Sequence, residues 1–205
     1  MNTGTLTEIA ETSINLNPSG GKMTKRLIEI FEIANNNFIQ NDLELLNSEV
    51  SERTLCGALM IHLYEVIKKS EFSRYKVDVE YNRNKNGKVK THVKTINGPN
   101  DIIVKINCDL IVHSRGNIIE QDNLIALEMK KSNRKQKDKD DDRSRLVALT
   151  KDSYDDIWSF DGKTLPEHVC RYGLGVYYEV NYKERVILIE YYKTGYMFKE
   201  YKMKF

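Results

Sequence analysis

Cysteine is scarce in this chain of 205 residues, and so are long apolar runs. The three cysteines, Cys56, Cys108 and Cys170, are scattered and odd in number. They indicate neither a disulfide framework nor a zinc cluster, and we expect buried thiols in a reducing cytoplasm. No apolar run reaches the roughly 18–20 residues that span a bilayer, and the N-terminus lacks the basic-then-apolar pattern of a secretory signal. The sequence therefore predicts a cytoplasmic protein with no membrane partner.

A strong net charge is also missing. The 32 basic and 30 acidic side chains nearly cancel, which leaves a formal charge of +2. Any preference for nucleic acid must then come from where the charge lies. The length is most simply that of one domain with a substantial core.

The N-terminal part is predicted to be an addition to that core. Residues 1–23 are rich in Thr, Asn, Ser and Gly and predict a poorly ordered arm. A helix over 24–36 and a short second helix are expected to follow. We therefore divide the chain into an N-terminal arm and helical addition, 1–47, and a core domain, 48–205.

The core domain alternates between helical and strand patterns. Ser48–Lys69 predicts a helix that Ser48 or Ser51 caps, and Asn84–Gly98 predicts an exposed hairpin. A second helix is expected from about Asp140 to Tyr154. The predicted strands are Tyr75–Arg83, Val104–His113, Asn123–Lys130, Tyr172–Val180 and Arg185–Tyr192. This order indicates an α+β fold (a three-layer α/β type) with a mixed central sheet flanked by helices.

Two neighbouring predicted strands carry charges inside apolar stretches. Strand alternation places Glu128 and Lys130 on one face, and Asp109 lies on the strand before them. Burying such charges unpaired is costly, so we expect them to face one another, a metal, or water in a cleft. The alternative is a solvated cross-strand salt bridge between Glu128 and Lys130.

Clustered carboxylates without histidine or cysteine favour a hard cation bound through oxygen. Mg²⁺ uses one or two carboxylates, keeps several waters, and is completed by substrate phosphate oxygens. Asp109 and Glu128 suit that role, and the Met129 carbonyl is a candidate third ligand. The Lys130 ammonium can position or deprotonate the attacking water, or stabilise charge on the phosphate. The set is coherent for phosphodiester hydrolysis.

The ordered motifs resemble the PD-(D/E)XK nuclease superfamily. They are Glu52-Arg53 on a helix, 80–83 on a strand, 109–115, and 123–131, and the resemblance spans roughly 48–192. It implies the restriction-endonuclease-like fold: a helix, three strands, a helix and another strand. It also implies that Asp109, Glu128 and Lys130 match the catalytic triad. Cys108 stands where the motif has its proline.

The resemblance bears on two further residues. Glu52 matches the first-helix carboxylate of many members, which would join the catalytic and metal-binding set. The alternative is a surface carboxylate that stabilises the helix N-terminus. Asp142 resembles the acidic start of the following helix.

The function we expect is a Mg²⁺- or Mn²⁺-dependent deoxyribonuclease from a prokaryote, phage or mobile element. Lys131, Arg134, Lys135 and Arg115 are candidate contacts to nucleic-acid phosphates, with a solvated charge run as the alternative. A non-catalytic or partner-activated nucleic-acid-binding module on the same fold is the second hypothesis. A homodimer or a recruiting protein partner stays open.

Overall fold

The computed structural model describes residues 21–80, 91–94, 102–105, 108–152 and 170–205. Of the arm predicted over 1–23, residues 1–20 lie outside these ranges, and residues 21–23 form the start of the first helix. The helices and strands of the described residues are α1 (Gly21–Asn41), α2 (Leu43–Asn47), α3 (Glu52–Lys68), β1 (Lys76–Val79), β2 (Thr91–Lys94), β3 (Ile102–Lys105), β4 (Leu110–His113), β5 (Asn123–Lys131), α4 (Gln136–Thr150), β6 (Leu174–Asn181), β7 (Val186–Lys193) and β8 (Tyr196–Lys204).

A six-stranded mixed sheet forms the centre of this α+β fold. Its strand order is β1-β4-β5-β6-β7-β8, and β2 pairs with β3 in a separate two-stranded sheet. Strands β5 and β6 run parallel, with α4 as their connection, while the other neighbours in the large sheet are antiparallel. The predicted mixed sheet flanked by helices is confirmed.

Helices α1 and α3 share one hydrophobic core with one face of the sheet. Leu27 and Phe31 of α1 are fully buried there beside Leu59 of α3 and Leu127 of β5. Tyr178 of the sheet also donates a hydrogen bond to Asn35 of α1, at 2.9 Å. In its described part, the predicted helical addition therefore has a core in common with 48–205.

Helix α4 covers the other face with few apolar side chains. Leu146 and Leu149 meet Ala126 and Tyr177 of the sheet. The contacts of α4 also include two ion pairs: Arg143 donates to Glu190, and Lys139 Nζ lies 3.1 Å from Glu179. Ion pairs and a small apolar patch together dock this helix.

Several predicted boundaries are wrong. The single strand Val104–His113 is two elements, because 102–105 pair with β2 and the ladder between β4 and β5 stops at Leu110. Helix α4 begins at Gln136, one turn early, since Lys and Gln are good helix formers. Strand β8 is not predicted, although Tyr196–Lys204 pairs along most of β7.

Two of the remaining predictions for the core domain agree with the structure. The helix predicted over Ser48–Lys69 and the strand predicted over Asn123–Lys130 are confirmed within a few residues. Part of the predicted strand Tyr75–Arg83, from residue 81 onward, lies outside the described residues. Among the residues that the structure describes, no helix is both long and apolar enough to cross a membrane.

Candidate metal and phosphodiester site

Strand β5 continues past the end of its neighbour β4, and the site lies where it does so. The ladder ends with Leu110 opposite Leu127, and alternate residues of an antiparallel strand direct their amides to the same neighbour. The next two such amides belong to Met129 and Lys131. Asp109 Oδ2 accepts the first at 2.8 Å, and Glu52 Oε1 accepts the second at 2.9 Å. We call this edge of β5, which no described strand pairs with, together with Asp109 and Glu52, the notch.

The N-terminal end of α3 places Glu52 at the notch. The Ser51 side chain caps the helix by accepting a hydrogen bond from the Thr54 amide at 3.2 Å, so Glu52 is the first helical residue. Arg134 donates to both Glu52 oxygens, at 2.9 and 3.2 Å. Burial opposes ionisation of Glu52, but the Arg134 guanidinium and the Lys131 amide hold its pKa below the usual value. Glu52 is therefore an ionised carboxylate at neutral pH.

A cavity of about 350 Å³ opens onto the notch. Its charged lining residues are Glu52, Arg53, Glu80, Asp109 and Arg134. Arg53 and Glu80 form an ion pair of 2.7 Å, and both residues line the same cavity as Glu52 and Arg134. Neither Glu128 nor Lys130 lines it.

Glu128 and Asp109 are two carboxylates whose ionisation is opposed by their surroundings. Glu128 is only 1% exposed, and burial together with the Asp109 charge raises its pKa to about 8. Burial also raises the pKa of Asp109, against the opposing effects of the Met129 amide and Lys130. Because the pKa values of the buried Glu128 and the half-buried Asp109 are both raised, a positive charge near them would stabilise their ionised forms.

Two cations next to the pair are held by α4. Arg145 Nε donates to Glu128 Oε1 at 2.9 Å, and its Nη2 donates to Asp142 Oδ1. Lys130 Nζ lies 2.6 Å from Asp142 Oδ2. Burial disfavours the charged form of Lys130, but Asp142 more than compensates and raises its pKa. Lys130 is therefore an ammonium at neutral pH.

The structure brings the candidate metal and catalytic residues together at the end of β4 and β5. Asp109, Glu52 and the Met129 amide lie at the notch. Glu128 and Lys130 share the face of β5 that α4 covers, as alternation predicts.

The candidate phosphate-binding residues do not all lie at the notch. Arg134 lines the cavity, and Lys135 is exposed at the start of α4. Lys131 Nζ donates to the Glu49 carbonyl at 2.7 Å. Arg115 follows the other end of β4, where it donates to both oxygens of Asp78. The structure therefore places Arg115 away from the notch.

Sequence reasoning missed Arg145 and Arg53. Arg145 lies one helical turn after Asp142, and this i,i+3 spacing of opposite charges is the available signal. Arg53 directly follows Glu52 in the first of the ordered motifs, and that position was the available signal. The sequence singles out Asp142 only as the acidic start of a helix.

The residues present fit a divalent ion held by two carboxylates. No group of three or more His, Cys, Asp or Glu side chains gathers as a metal site within the described ranges. Mg²⁺ and Mn²⁺ accept one or two carboxylates and oxygen ligands from substrate and water. Asp109 and Glu128 supply two carboxylates with an excess of negative charge. Because N–H and C=O of a paired strand residue point to the same neighbour, the Met129 carbonyl lies at the notch as well.

Comparison with known proteins gives no relative from which a role could be carried over. No protein-family model, curated protein or solved structure matches the chain.

Proposed function

We propose that the protein is a Mg²⁺- or Mn²⁺-dependent nuclease with a restriction-endonuclease-like core, acting on DNA in the cytoplasm. The observation that carries the proposal is the convergence of Asp109, Glu128 and Lys130 beside a cavity that Glu52 lines. The order α3, β1, β4, β5, α4, β6 agrees with the helix, three strands, helix and strand that the sequence resemblance implies, with β2 and β3 as an inserted hairpin. DNA is proposed as the substrate on the strength of that resemblance.

Each residue has a distinct role in this proposal. Asp109, Glu128 and the Met129 carbonyl would hold the ion, and Glu52 would complete the acidic lining from α3. When bound, the ion lowers the pKa of water and polarises the phosphoryl group. Lys130 stays protonated beside Asp142. It therefore orients the attacking water and stabilises negative charge on the phosphate, whereas a general base would need a lowered pKa.

The cavity rim offers cations to the phosphates on either side of the scissile bond. Arg134 and Arg53 both line it, and both side chains are more than half exposed. Lys131 and Lys135 extend this basic edge toward α4. Such contacts position a DNA strand without reading its base sequence.

The direct test is cleavage of mixed circular and linear DNA with Mg²⁺, Mn²⁺ or EDTA. Asp109→Asn and Lys130→Met remove the charge with little change of shape. Asp138→Asn and Lys137→Met are their matched controls, because both control residues are exposed on the first turn of α4. We expect metal-dependent cleavage by wild type and both controls, and a loss of at least about 100-fold in the two site variants. Equal cleavage by all five proteins would refute the site.

One observation favours a partner-activated form of the second hypothesis. Glu128 and Lys130 both form ion pairs with α4, through Arg145 and Asp142. A ligand or partner that moves α4 would therefore release these two side chains to bind metal or substrate. Cleavage that appears only when a partner protein is added would support this form. A folded protein that binds DNA but no divalent ion would support the non-catalytic module.

A further inference from the structure

Four charged side chains close a ring between β5 and α4. Glu128 accepts from Arg145 Nε at 2.9 Å, Arg145 Nη2 donates to Asp142, and Asp142 Oδ2 lies 2.6 Å from Lys130 Nζ. Glu128 and Lys130 are two residues apart on one face of a strand. Asp142 and Arg145 are one turn apart on the helix. We call these four residues the charge ring.

The charges of the four ring residues sum to zero only while no divalent ion is bound. With Glu128 ionised, the ring has two carboxylates and two cations, and the Asp109 carboxylate acts on Glu128 from outside it. A divalent ion shared by Asp109 and Glu128 would neutralise both carboxylates, which leaves Asp142 as the one carboxylate of the ring for the two cations Arg145 and Lys130. A guanidinium bound to Glu128 would then be repelled.

We propose that Arg145 is the resident counter-cation of Glu128 and that a divalent ion displaces it. This inference rests on the proposed function. Arg145 binds its two partners through different nitrogens, so the guanidinium can leave Glu128 and keep Asp142. Asp142 thereby acts as a pivot that also holds Lys130 in place. Metal binding is in this way coupled to the position of a side chain on α4.

The same helix offers a matched control. Arg143 is also a partly buried arginine on α4, and it donates to both oxygens of Glu190, as close as 2.7 Å. Its guanidinium stacks 4.0 Å above the Tyr177 ring. Its partner Glu190 is on β7, outside the charge ring. Losing Arg143 should damage the packing of α4 without changing the charge at Glu128.

Calorimetric titration with Mn²⁺, without DNA, separates these roles. Arg145→Gln should bind Mn²⁺ about tenfold more tightly than wild type, the order expected when one unit charge is removed from beside a cation site. Arg143→Gln should bind with wild-type affinity, and in EDTA both variants should melt at lower temperature. Unchanged or weaker binding by Arg145→Gln would overturn the displacement. If wild type bound no Mn²⁺, the proposed function would fail, and this inference with it.

A measurement on the wild-type protein guards against a variant that does not fold. The arginine Nε–H signals can be followed by NMR during titration with Mg²⁺, and Arg145→Lys assigns the relevant one. We expect the Arg145 signal to shift and to exchange faster with water, while the Arg143 signal stays in place. Saturation with Mg²⁺ that leaves the Arg145 signal unchanged would contradict displacement even though the metal site itself would stand.

Discussion

Replacing Glu128 by glutamine should stabilise the protein in the absence of metal. The pKa of Glu128 is about 8 in the folded state against a usual value of 4.5, so the folded state binds the proton more tightly. Stability is therefore lost as the pH rises from about 4.5 to 8, because ionisation becomes progressively more favourable in the unfolded chain. At about 1.4 kcal/mol per pH unit, the cost at pH 7 is about 3 kcal/mol. A neutral glutamine amide at this position resembles the protonated carboxyl group and avoids this cost.

Urea denaturation in EDTA between pH 5 and pH 8 measures the difference. Glu128→Gln should unfold with a free energy within about 1 kcal/mol of wild type at pH 5 and about 3 kcal/mol above it at pH 7. Added Mn²⁺ should stabilise wild type and leave Glu128→Gln nearly unaffected, because the variant has lost a ligand.

Glu190→Gln is the control, since Glu190 is also a buried glutamate held by an arginine of α4. Removing that carboxylate leaves Arg143 without its charged partner and should destabilise the protein by about 3–5 kcal/mol at pH 7. If Glu128→Gln were destabilised at every pH, as Glu190→Gln should be at pH 7, then the Glu128–Arg145 ion pair would outweigh the desolvation of Glu128. The site would then hold no destabilising excess of negative charge.

Three further changes test other parts of the structure. Glu52→Gln should lower the free energy of unfolding by about 1–2 kcal/mol, because Arg134 loses its charged acceptor, and cleavage should fall with it; a variant with wild-type cleavage would remove Glu52 from the site. Lys135→Ala should weaken DNA binding and reduce the slope of log affinity against log salt by about 1; an unchanged slope would mean that Lys135 contacts no phosphate. Tyr178→Phe should cost about 1–2 kcal/mol through its lost hydrogen bond to Asn35 and leave cleavage per folded molecule unchanged, as a DNA-cleavage assay corrected for the folded fraction by circular dichroism would show.

Strands and helices with a clear periodicity could be read from the sequence. The stripe through Leu55, Leu59 and Leu63 predicts α3, and 123–130 predicts β5 almost to the residue. Strand β8 also has alternating partly buried residues, including Tyr201 and Met203, but its lysines make it resemble a polar tail. Lysines are a common feature of an edge strand.

The site was predictable only where a local rule applied. Alternation placed Glu128 and Lys130 on one face, because strand geometry has a period of two. The contact of Glu52 with the Lys131 amide depends on where α3 packs against the sheet, which no local pattern specifies. The pairing of Arg145 with Glu128 depends on the docking of α4, a helix whose contacts are mostly charged and which therefore lacks an apolar stripe. Long-range charge pairing of this kind leaves little trace in a single sequence.

The most direct measurement is anomalous diffraction from crystals of the protein grown with Mn²⁺. We expect one strong peak within about 2.0–2.3 Å of oxygens from both Asp109 and Glu128, with the Arg145 guanidinium withdrawn from Glu128. A peak elsewhere, or no peak while Arg145 still donates to Glu128, would contradict the proposed metal site.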